Sequence, residues 1–382
     1  MDKRTKILIY SFIGFSINLS YIAGNLFISN FAESLGASKS FIGIINAILP
    51  LFSILSAFLF AKKAAKARKK LPIIRFGFVL GLIFSVFLFF SNDKFWILFL
   101  RMGMGVSFGA IIALTDSLAT EIDIGKRGKY FGIYSGASCF GWGIGSLLVG
   151  LVVTEKYNNA FLIQILFLTI GLIATFFVTE KHTSVDYFGL DFEEFKKFFP
   201  FYRTLVLRHS VATAIWAFLP LYLEYTLGFD RFFVSLVFLI NNSVQLVTMP
   251  LTGHLSDRIK RKYLVLTGLI GSLIFIYLFT QVTDFVEILF LQILVGFSWS
   301  SLYIGISSLV ADASTWNERG EAMAGLNISI NFSSIMGPLI GGIIYQFSDF
   351  SMMIYVLMPM SILAIVSATR LKETKKSHNI YK

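Results

Sequence analysis

Long apolar stretches follow one another along nearly the whole chain, and short polar segments separate them. Each stretch has about the 20 residues that an α-helix needs to cross ~30 Å of hydrocarbon. The alternation of apolar and polar residues that is typical of barrel strands is missing. The pattern therefore predicts an all-α membrane protein with twelve transmembrane helices, near residues 7 to 31, 41 to 60, 72 to 92, 95 to 118, 130 to 153, 161 to 180, 201 to 226, 232 to 254, 263 to 283, 286 to 310, 322 to 346 and 350 to 370.

The composition excludes several other classes of protein. The 382 residues are 56% hydrophobic and only 14% charged, far from the roughly 25% of average globular chains, which excludes a soluble enzyme. The net charge of +11 falls between the apolar stretches, so it indicates orientation in a membrane and no nucleic-acid partner. A single cysteine, Cys139, and four histidines without a pair four residues apart offer no metal site. No P-loop motif is present either, and we expect no cofactor.

Lysines and arginines are distributed unevenly between alternate polar segments. If the N-terminus is cytoplasmic, the cytoplasmic segments hold 28 of the 33, and the opposite side holds Lys39, Lys94, Lys156 and Arg231. Such a bias orients helices through the positive-inside effect. We therefore predict a multi-pass protein of the plasma membrane with both termini in the cytoplasm.

A hydrophilic segment near the middle divides the chain into two parts of six helices each. The predicted domains are an N-terminal six-helix bundle at 1–180, a cytoplasmic linker at 181–200 and a C-terminal six-helix bundle with a short basic tail at 201–382. The two halves match at an offset of 191 to 192 residues. The matched pairs include Leu35-Gly36 with Leu227-Gly228, Arg101 with Gln292, Arg127 with Arg319, and Gly145 with Gly337. Matches in register predict two pseudo-symmetric bundles, as in transporters whose binding site lies at the repeat interface.

Several motifs resemble those of the major facilitator superfamily. The loop Gly253-His-Leu-Ser-Asp257-Arg258-Ile-Lys-Arg261-Lys262 is similar to the family's loop signature, and its first-half copy, Ala61 to Lys70, is degraded. The fourth apolar stretch carries Ile97, Arg101 and Gly105, which resemble the family's fourth-helix motif. The resemblance implies a secondary transporter that works by alternating access, and not an enzyme.

The loop signature also predicts a conformational latch. We expect Gly253 to permit close helix packing and Asp257 to accept hydrogen bonds from the start of a helix in the opposite bundle. A basic turn that binds anionic lipid headgroups is the alternative. Ala65 stands at the position of the aspartate in the first copy, which predicts a weaker latch there. The predicted latch residues are Gly253, Asp257, Arg258, Asp116 and Arg127.

Polar residues within the apolar stretches are candidates for binding a substrate. An intramembrane cation such as Arg101 costs several kcal/mol unless it is paired or faces water, so it either binds substrate or is a structural arginine bonded to backbone carbonyls. Arg208 and His209 lie either in the cytoplasmic vestibule or at the interface, depending on where their helix begins. The predicted substrate-binding residues are Asn25, Arg101, Asn241, Gln245, Gln292, Asn327 and Asn331.

These observations predict secondary active transport of a small molecule by a monomer in the lipid bilayer. The resemblance of the motif around Arg101 to drug exporters makes proton-coupled efflux of drug-like or metabolite molecules the first hypothesis. No Asp or Glu lies in the middle third of a predicted helix, so protons would use Asp116, His209, Glu224, Glu287 or the substrate itself. Uptake or facilitated diffusion of a sugar or organic anion is an alternative. A non-transporting membrane receptor or scaffold is an alternative of another class.

Overall fold

The computed structural model describes residues 2–122, 127–178, 180, 192–315 and 318–373, without the side chains of 127–129 and 192–194. The chain is 86% helical, and its described residues contain no strand. Within these ranges, twelve helical segments are long and apolar enough to cross a membrane. The predicted all-α fold with twelve transmembrane helices in two six-helix halves is confirmed.

The first half contains six of these segments. The first segment consists of two helices separated by a short turn, and the sixth begins with a 3-10 turn at Tyr157–Asn159. The helices are α1 (Lys3–Asn25), α2 (Ile28–Ser34), α3 (Lys39–Ala67), α4 (Leu71–Phe89), α5 (Lys94–Thr120), α6 (Arg127–Val152) and α7 (Ala160–Phe176).

The second half contains the other six segments. Its first helix continues into a π-helical turn at Tyr222–Thr226. The helices are α8 (Phe192–Leu221), α9 (Arg231–Ser256), α10 (Arg261–Leu278), α11 (Phe285–Ala313), α12 (Arg319–Gln346) and α13 (Phe350–Thr369).

The turns that connect the helices repeat in the two halves. Gly36 and Gly228 have positive φ angles of 74° and 72°, so the matched Leu-Gly pairs form the same left-handed turn. Asp93 and Asp284 each cap a helix by accepting a hydrogen bond from the backbone N–H two residues later, at 2.9 and 2.8 Å. The offset seen in the sequence is therefore a repeat of backbone geometry.

Helix α8 begins earlier than the sequence predicts. Residues 192–200, assigned above to the linker, are its first nine residues, and 181–191 lie outside the described residues. Phe198 and Tyr202 are buried in a hydrophobic core, so the apolar face of this amphipathic segment continues into the membrane span. Arg208 therefore lies well inside the spanning helix, about four turns from its start.

The residues divide into two compact units. The first unit comprises Met1–Tyr187 and Ala217–Ser243, and the second comprises Phe188–Trp216 and Val244–Lys382. In the first unit α1 packs against α6 and α7, and α5 packs against α3 and α4. In the second unit α10 packs against α11 and α13. Because the units divide α8 and α9 between them, the domain boundaries drawn from the sequence stay a prediction.

Candidate functional site

Arg101 is buried in the first unit, where three oxygen atoms accept its hydrogen bonds. It is only 3% exposed. Its Nε donates to the carbonyl oxygen of Ile45 at 3.0 Å. Its Nη1 donates to Asn25 Oδ1 at 2.8 Å and to the carbonyl oxygen of Gly24 at 3.5 Å. Two of the predicted substrate-binding residues, Arg101 and Asn25, are thus in contact with each other.

The packing of α5 explains how Arg101 reaches these acceptors. Gly105 lies one turn later, and a Cβ there would come within 2.5 Å of the Leu49 carbonyl oxygen on α3. The glycine lets the two helices approach until the arginine meets an α3 carbonyl. Asn25 is itself held, because its Nδ2 donates to the carbonyl oxygen of Tyr21 at 2.6 Å. These contacts match the structural alternative for Arg101, and a role in substrate binding stays a prediction.

A second buried arginine lies in the second unit. Arg208 on α8 is 2% exposed, and its Nε donates to Ser272 Oγ on α10 at 2.9 Å. The central carbon of its guanidinium lies 5.2 Å from the ring centroid of Trp299 on α11. None of the ion pairs among the described residues includes Arg208. Its positive charge therefore has no protein counter-charge in direct contact within that part of the chain.

Three aromatic rings stack in a row beside Arg208. The ring centroids of His209 and Trp299 are 4.7 Å apart at an interplanar angle of 24°. Those of Trp299 and Tyr303 are 5.4 Å apart at 21°, because the two residues lie one turn apart on α11. All three side chains are partly exposed. We call His209, Trp299 and Tyr303 the aromatic row.

The sequence left the place of Arg208 and His209 open because the start of their helix was uncertain. The missing signal was the apolar spacing upstream of Pro200, where Phe195 and Phe198 recur at helical distance and pack against the core. Extending the helix through that face would have placed Arg208 deep in the membrane span.

The other predicted substrate-binding amides differ in burial. Gln292 is fully buried, and neither polar atom of its side chain has a hydrogen-bond partner among the described residues. Asn241 is buried, and Gln245 is partly exposed. Asn331 Nδ2 donates to the backbone carbonyl oxygen of the exposed Asn327 at 2.9 Å, consistent with their shared face on α12. Substrate binding by these amides stays a prediction.

The close helix packing expected at Gly253 is not seen among the described residues. A Cβ at Gly253 would have no heavy atom within 4 Å, so this glycine does not permit a close helix contact in this structure. The reason is its place near the end of α9, where the helix gives way to the exposed turn that contains Asp257 and Arg258. A latch role for this turn stays a prediction.

Two other latch residues belong to the first half. Asp116 accepts a hydrogen bond from the hydroxyl of Tyr134 at 2.7 Å, which joins α5 to α6 within the first unit. The side chain of Arg127 lies outside the described residues. Their part in a latch also stays a prediction.

The first-half loop ends in a polar cluster that sequence reasoning missed. The backbone N–H groups of Lys70 and Leu71 donate to the carboxylate of Glu180 at 2.8 to 3.0 Å, at the start of α4. Lys70 Nζ pairs with Glu121 and donates to Ser117 Oγ at 2.8 Å. A carboxylate at a helix start satisfies N–H groups that the first turn leaves unpaired and favours the positive end of the helix dipole.

The second half has the same cluster at its own loop. The backbone N–H groups of Arg261 and Lys262 donate to the Glu373 carboxylate at 2.9 and 3.1 Å, at the start of α10. Arg261 pairs with Asp312 and donates to the carbonyl oxygen of Ser308 at 2.6 Å. Each member lies 191 to 193 residues after its first-half counterpart. A search for acidic residues within one residue of the repeat offset would therefore have found both glutamates.

A third polar cluster surrounds Glu224, on the side of the membrane that the sequence predicts to be outer. Glu224 Oε2 accepts a hydrogen bond from Asn30 Nδ2 at 2.7 Å. Its Oε1 accepts from the Tyr157 hydroxyl at 2.7 Å and from Arg231 Nε at 2.8 Å. The Tyr157 hydroxyl is also 2.7 Å from that of Tyr225. We call these five residues the Glu224 network; all of them belong to the first unit.

The Glu224–Arg231 ion pair of the Glu224 network is mostly shielded from solvent, whereas Tyr225 is 51% exposed. The side chains of Glu224 and Arg231 are 12% and 20% exposed, and the guanidinium of Arg231 lies 4.0 Å from the Tyr157 ring centroid. The carboxylate thus holds together α2, the start of α9 and the turn before α7.

Comparison with known proteins places the chain in a family. The family model described as Major Facilitator Superfamily matches residues 8–209 and 204–381. A proton-coupled antiporter flippase LtaA of Staphylococcus aureus (strain MSSA476) is 23% identical over 295 residues, which cover 72% of each chain. The staphyloferrin B transporter of S. aureus (strain NCTC 8325 / PS 47) is 27% identical over 130 residues, which are 34% of this chain and 31% of that transporter. This chain thus matches about a third of the length of the latter.

Solved structures show the same fold. A crystal structure of the nucleoside transporter NupG superposes with a TM-score of 0.82 at 14% identity, and covers 97% of this chain and 100% of that one. An inward-facing, occupied structure of a bacterial homologue of the human lysosomal transporter Spinster has a TM-score of 0.78 at 11% identity, over 96% and 95% of the two chains. Since the family model matches nearly the whole sequence, the chain belongs to the major facilitator superfamily and is a membrane transporter, not an enzyme.

Proposed function

We propose that this transporter exports a drug-like or metabolite molecule in exchange for protons. Family membership supports transport of a small molecule through the membrane, which alternating access of two helix bundles accomplishes in such folds. The coupling ion, the direction and the kind of substrate are the proposed part.

The observation that carries the coupling proposal is the position of Glu224. Its carboxylate accepts hydrogen bonds from Asn30, Tyr157 and Arg231 in a mostly buried setting. A proton on Glu224 would remove the negative charge that pairs with Arg231 and occupy an oxygen that now accepts a hydrogen bond. Protonation would therefore loosen the contact between α2, α9 and the turn before α7. Protonation of Glu224 would thus couple proton binding to the opening of this contact on the predicted outer side.

The similarity to the flippase LtaA supports the same coupling. That relative is described as a proton-coupled antiporter, and the alignment covers 72% of both chains. In an antiporter, protons that enter the cell drive the solute outward, which agrees with export.

Proteoliposomes test the coupling directly. Purified protein is reconstituted with the pH dye pyranine inside, and a panel of drug-like compounds and organic acids is screened for compounds whose addition moves protons. For an active compound, the wild type should accumulate it against its gradient when a pH gradient is imposed. Glu224→Gln, which mimics the protonated state, should lose this accumulation but keep exchange of labelled for unlabelled compound.

The matched control is Glu155→Gln, which removes an exposed carboxylate on the same predicted side and should transport like the wild type. Normal pH-driven accumulation by Glu224→Gln would reject Glu224 as the coupling group. Accumulation that ignores the pH gradient but needs sodium would reject proton coupling altogether.

A further inference from the structure

We propose that Arg208 and the aromatic row form the binding site for an anionic group of the transported molecule. The ligand would carry a phosphate or carboxylate on an apolar or ring-shaped body. The inference rests on the proposed transport function and names the substrate class that it serves.

The first argument is the unpaired charge of Arg208. A guanidinium that is only 2% exposed inside a membrane-spanning helix loses most of its hydration, which is unfavourable unless a partner compensates. Here Nε donates to Ser272 Oγ, but the two terminal nitrogens donate to no acceptor among the described residues. Those two nitrogens form the planar fork that binds two oxygens of a phosphate or carboxylate. An anionic ligand would supply the missing acceptor.

The comparison with Arg101 sharpens this argument. Arg101 is as deeply buried, yet its Nε and Nη1 are held by Ile45, Gly24 and Asn25. That pattern is what a structural arginine requires. Arg208 has a single oxygen acceptor among the described residues, so its burial is not explained by internal hydrogen bonding.

The second argument is the aromatic row itself. The rings of His209, Trp299 and Tyr303 stack in sequence, and Trp299 lies beside the guanidinium. The three side chains are partly exposed, and aromatic rings bind apolar or ring-shaped groups by stacking. A ligand that places its anion on Arg208 would lay its body against this row. Neither feature alone specifies the ligand, but the two together favour an amphipathic anion.

The alternative is a structural Arg208 that is satisfied by Ser272 and by the face of Trp299. A cation over an aromatic face is a favourable contact even without a ligand. The two readings differ in one measurable respect, since only a binding site distinguishes an anion from a neutral analogue of the same shape.

Calorimetric titration of the purified full chain in a neutral detergent tests the proposal with three probes. Naphthyl phosphate has both anion and ring, naphthol has the ring alone, and inorganic phosphate has the anion alone. Naphthyl phosphate should bind at least about tenfold more tightly than either of the other two, as expected for charge-assisted hydrogen bonds added to stacking.

Arg208→Gln should lower the affinity for naphthyl phosphate about tenfold or more, down to the affinity for naphthol. Arg203→Gln is the matched control, because Arg203 lies on the same helix, is exposed and donates to Ser367. It should change the affinity less than about twofold. Equal affinities of naphthyl phosphate for the wild type and Arg208→Gln would overturn the proposal, as would a wild type that does not prefer naphthyl phosphate over naphthol.

Three further variants keep the test decisive if Arg208→Gln fails to fold. Trp299→Phe preserves a ring and should retain most of the affinity, whereas Trp299→Ala should lose about as much as stacking contributes, roughly fivefold. Arg208→Lys keeps the positive charge but lacks the two forked guanidinium nitrogens. Its affinity for naphthyl phosphate should lie between those of the wild type and Arg208→Gln. If neither Trp299→Ala nor Arg208→Lys weakens naphthyl phosphate, the proposed site is wrong.

A competition arm separates two sources of the anion. Short-chain phosphatidic acid that displaces naphthyl phosphate, where short-chain phosphatidylcholine does not, would identify a lipid headgroup as the ligand. If neither lipid displaces naphthyl phosphate, the ligand of the site is a soluble amphipathic anion. Binding at equilibrium needs no pH gradient, so the Arg208 site can be confirmed even if proton coupling fails. Conversely, proton-coupled accumulation can be observed even if naphthyl phosphate does not bind at Arg208.

Discussion

The two buried arginines, Arg101 in the first unit and Arg208 in the second, differ in what surrounds their guanidinium groups. Arg101 donates to two backbone carbonyls and to Asn25. Arg208 donates to one hydroxyl and lies against an aromatic ring. Both are at most 3% exposed, so burial does not separate them. The number of oxygen acceptors does separate them: it favours the structural alternative for Arg101, and it is the basis on which we propose a binding role for Arg208.

The repeat makes this difference easier to interpret. Arg101 has Gln292 as its counterpart on α11, and there the amide is fully buried without a hydrogen-bond partner among the described residues. The second half thus lacks a cation at that position and carries Arg208 on α8 instead. Duplication kept the backbone turns and the loop clusters, while the polar side chains inside the halves diverged.

The largest expected effect is on the stability of Arg101→Met. This variant leaves Asn25 Oδ1 without its donor and removes hydrogen bonds to a charged group, each of which contributes about 1.5–3 kcal/mol. The free energy of unfolding, measured by SDS titration in mixed micelles, should fall by about 2–3 kcal/mol, because removing the buried charge offsets part of the loss of these hydrogen bonds. Arg208→Met should change it by less than about 1 kcal/mol, because it also removes an unpaired buried charge. Equal losses in the two variants would contradict the division of roles.

A double-mutant cycle sharpens the same contrast. Combining Arg101→Met with Asn25→Leu should give a coupling energy of about 1–2 kcal/mol, since the two side chains share a charge-assisted hydrogen bond. The equivalent cycle of Arg208→Met with Ser272→Ala should give about 0.6 kcal/mol, typical of hydrogen bonds within membranes. Coupling energies in the reverse order would make Arg208 the structural arginine.

Gln292→Leu tests the counterpart position. Leucine has a similar size and removes two buried polar atoms that lack partners, so the free energy of unfolding should rise by about 1 kcal/mol. Affinity for naphthyl phosphate should stay unchanged. A stability that falls, or an affinity that drops severalfold, would show that the amide has a partner in the working protein and would support the predicted role of Gln292 in substrate binding.

The helices could be predicted from the sequence because a membrane span requires a long apolar run, which leaves a strong one-dimensional signal. The start of α8 could not be predicted in this way, because its first residues are amphipathic and resemble a surface segment. The contacts between side chains were harder to predict from the sequence than the start of α8. Whether Arg208 meets Ser272, 64 residues away, depends on how α8 and α10 are rotated against each other, and no local pattern encodes that rotation.

The smallest expected effect belongs to Ser272→Ala. Ser272 is fully buried and accepts the hydrogen bond from Arg208 Nε, so its loss should cost about 0.5–1 kcal/mol of stability. Ser329→Ala is the control, since that buried hydroxyl donates within its own helix, to the Gly325 carbonyl oxygen at 2.7 Å. Naphthyl phosphate should bind Ser272→Ala within about twofold of wild type, because the two terminal nitrogens of Arg208 remain available for the anion. A stability loss as large as that of Asn25→Leu would mean that Ser272 holds Arg208 as firmly as Asn25 holds Arg101. Arg208 would then be explained by its internal bond, and the contrast between the two arginines would disappear.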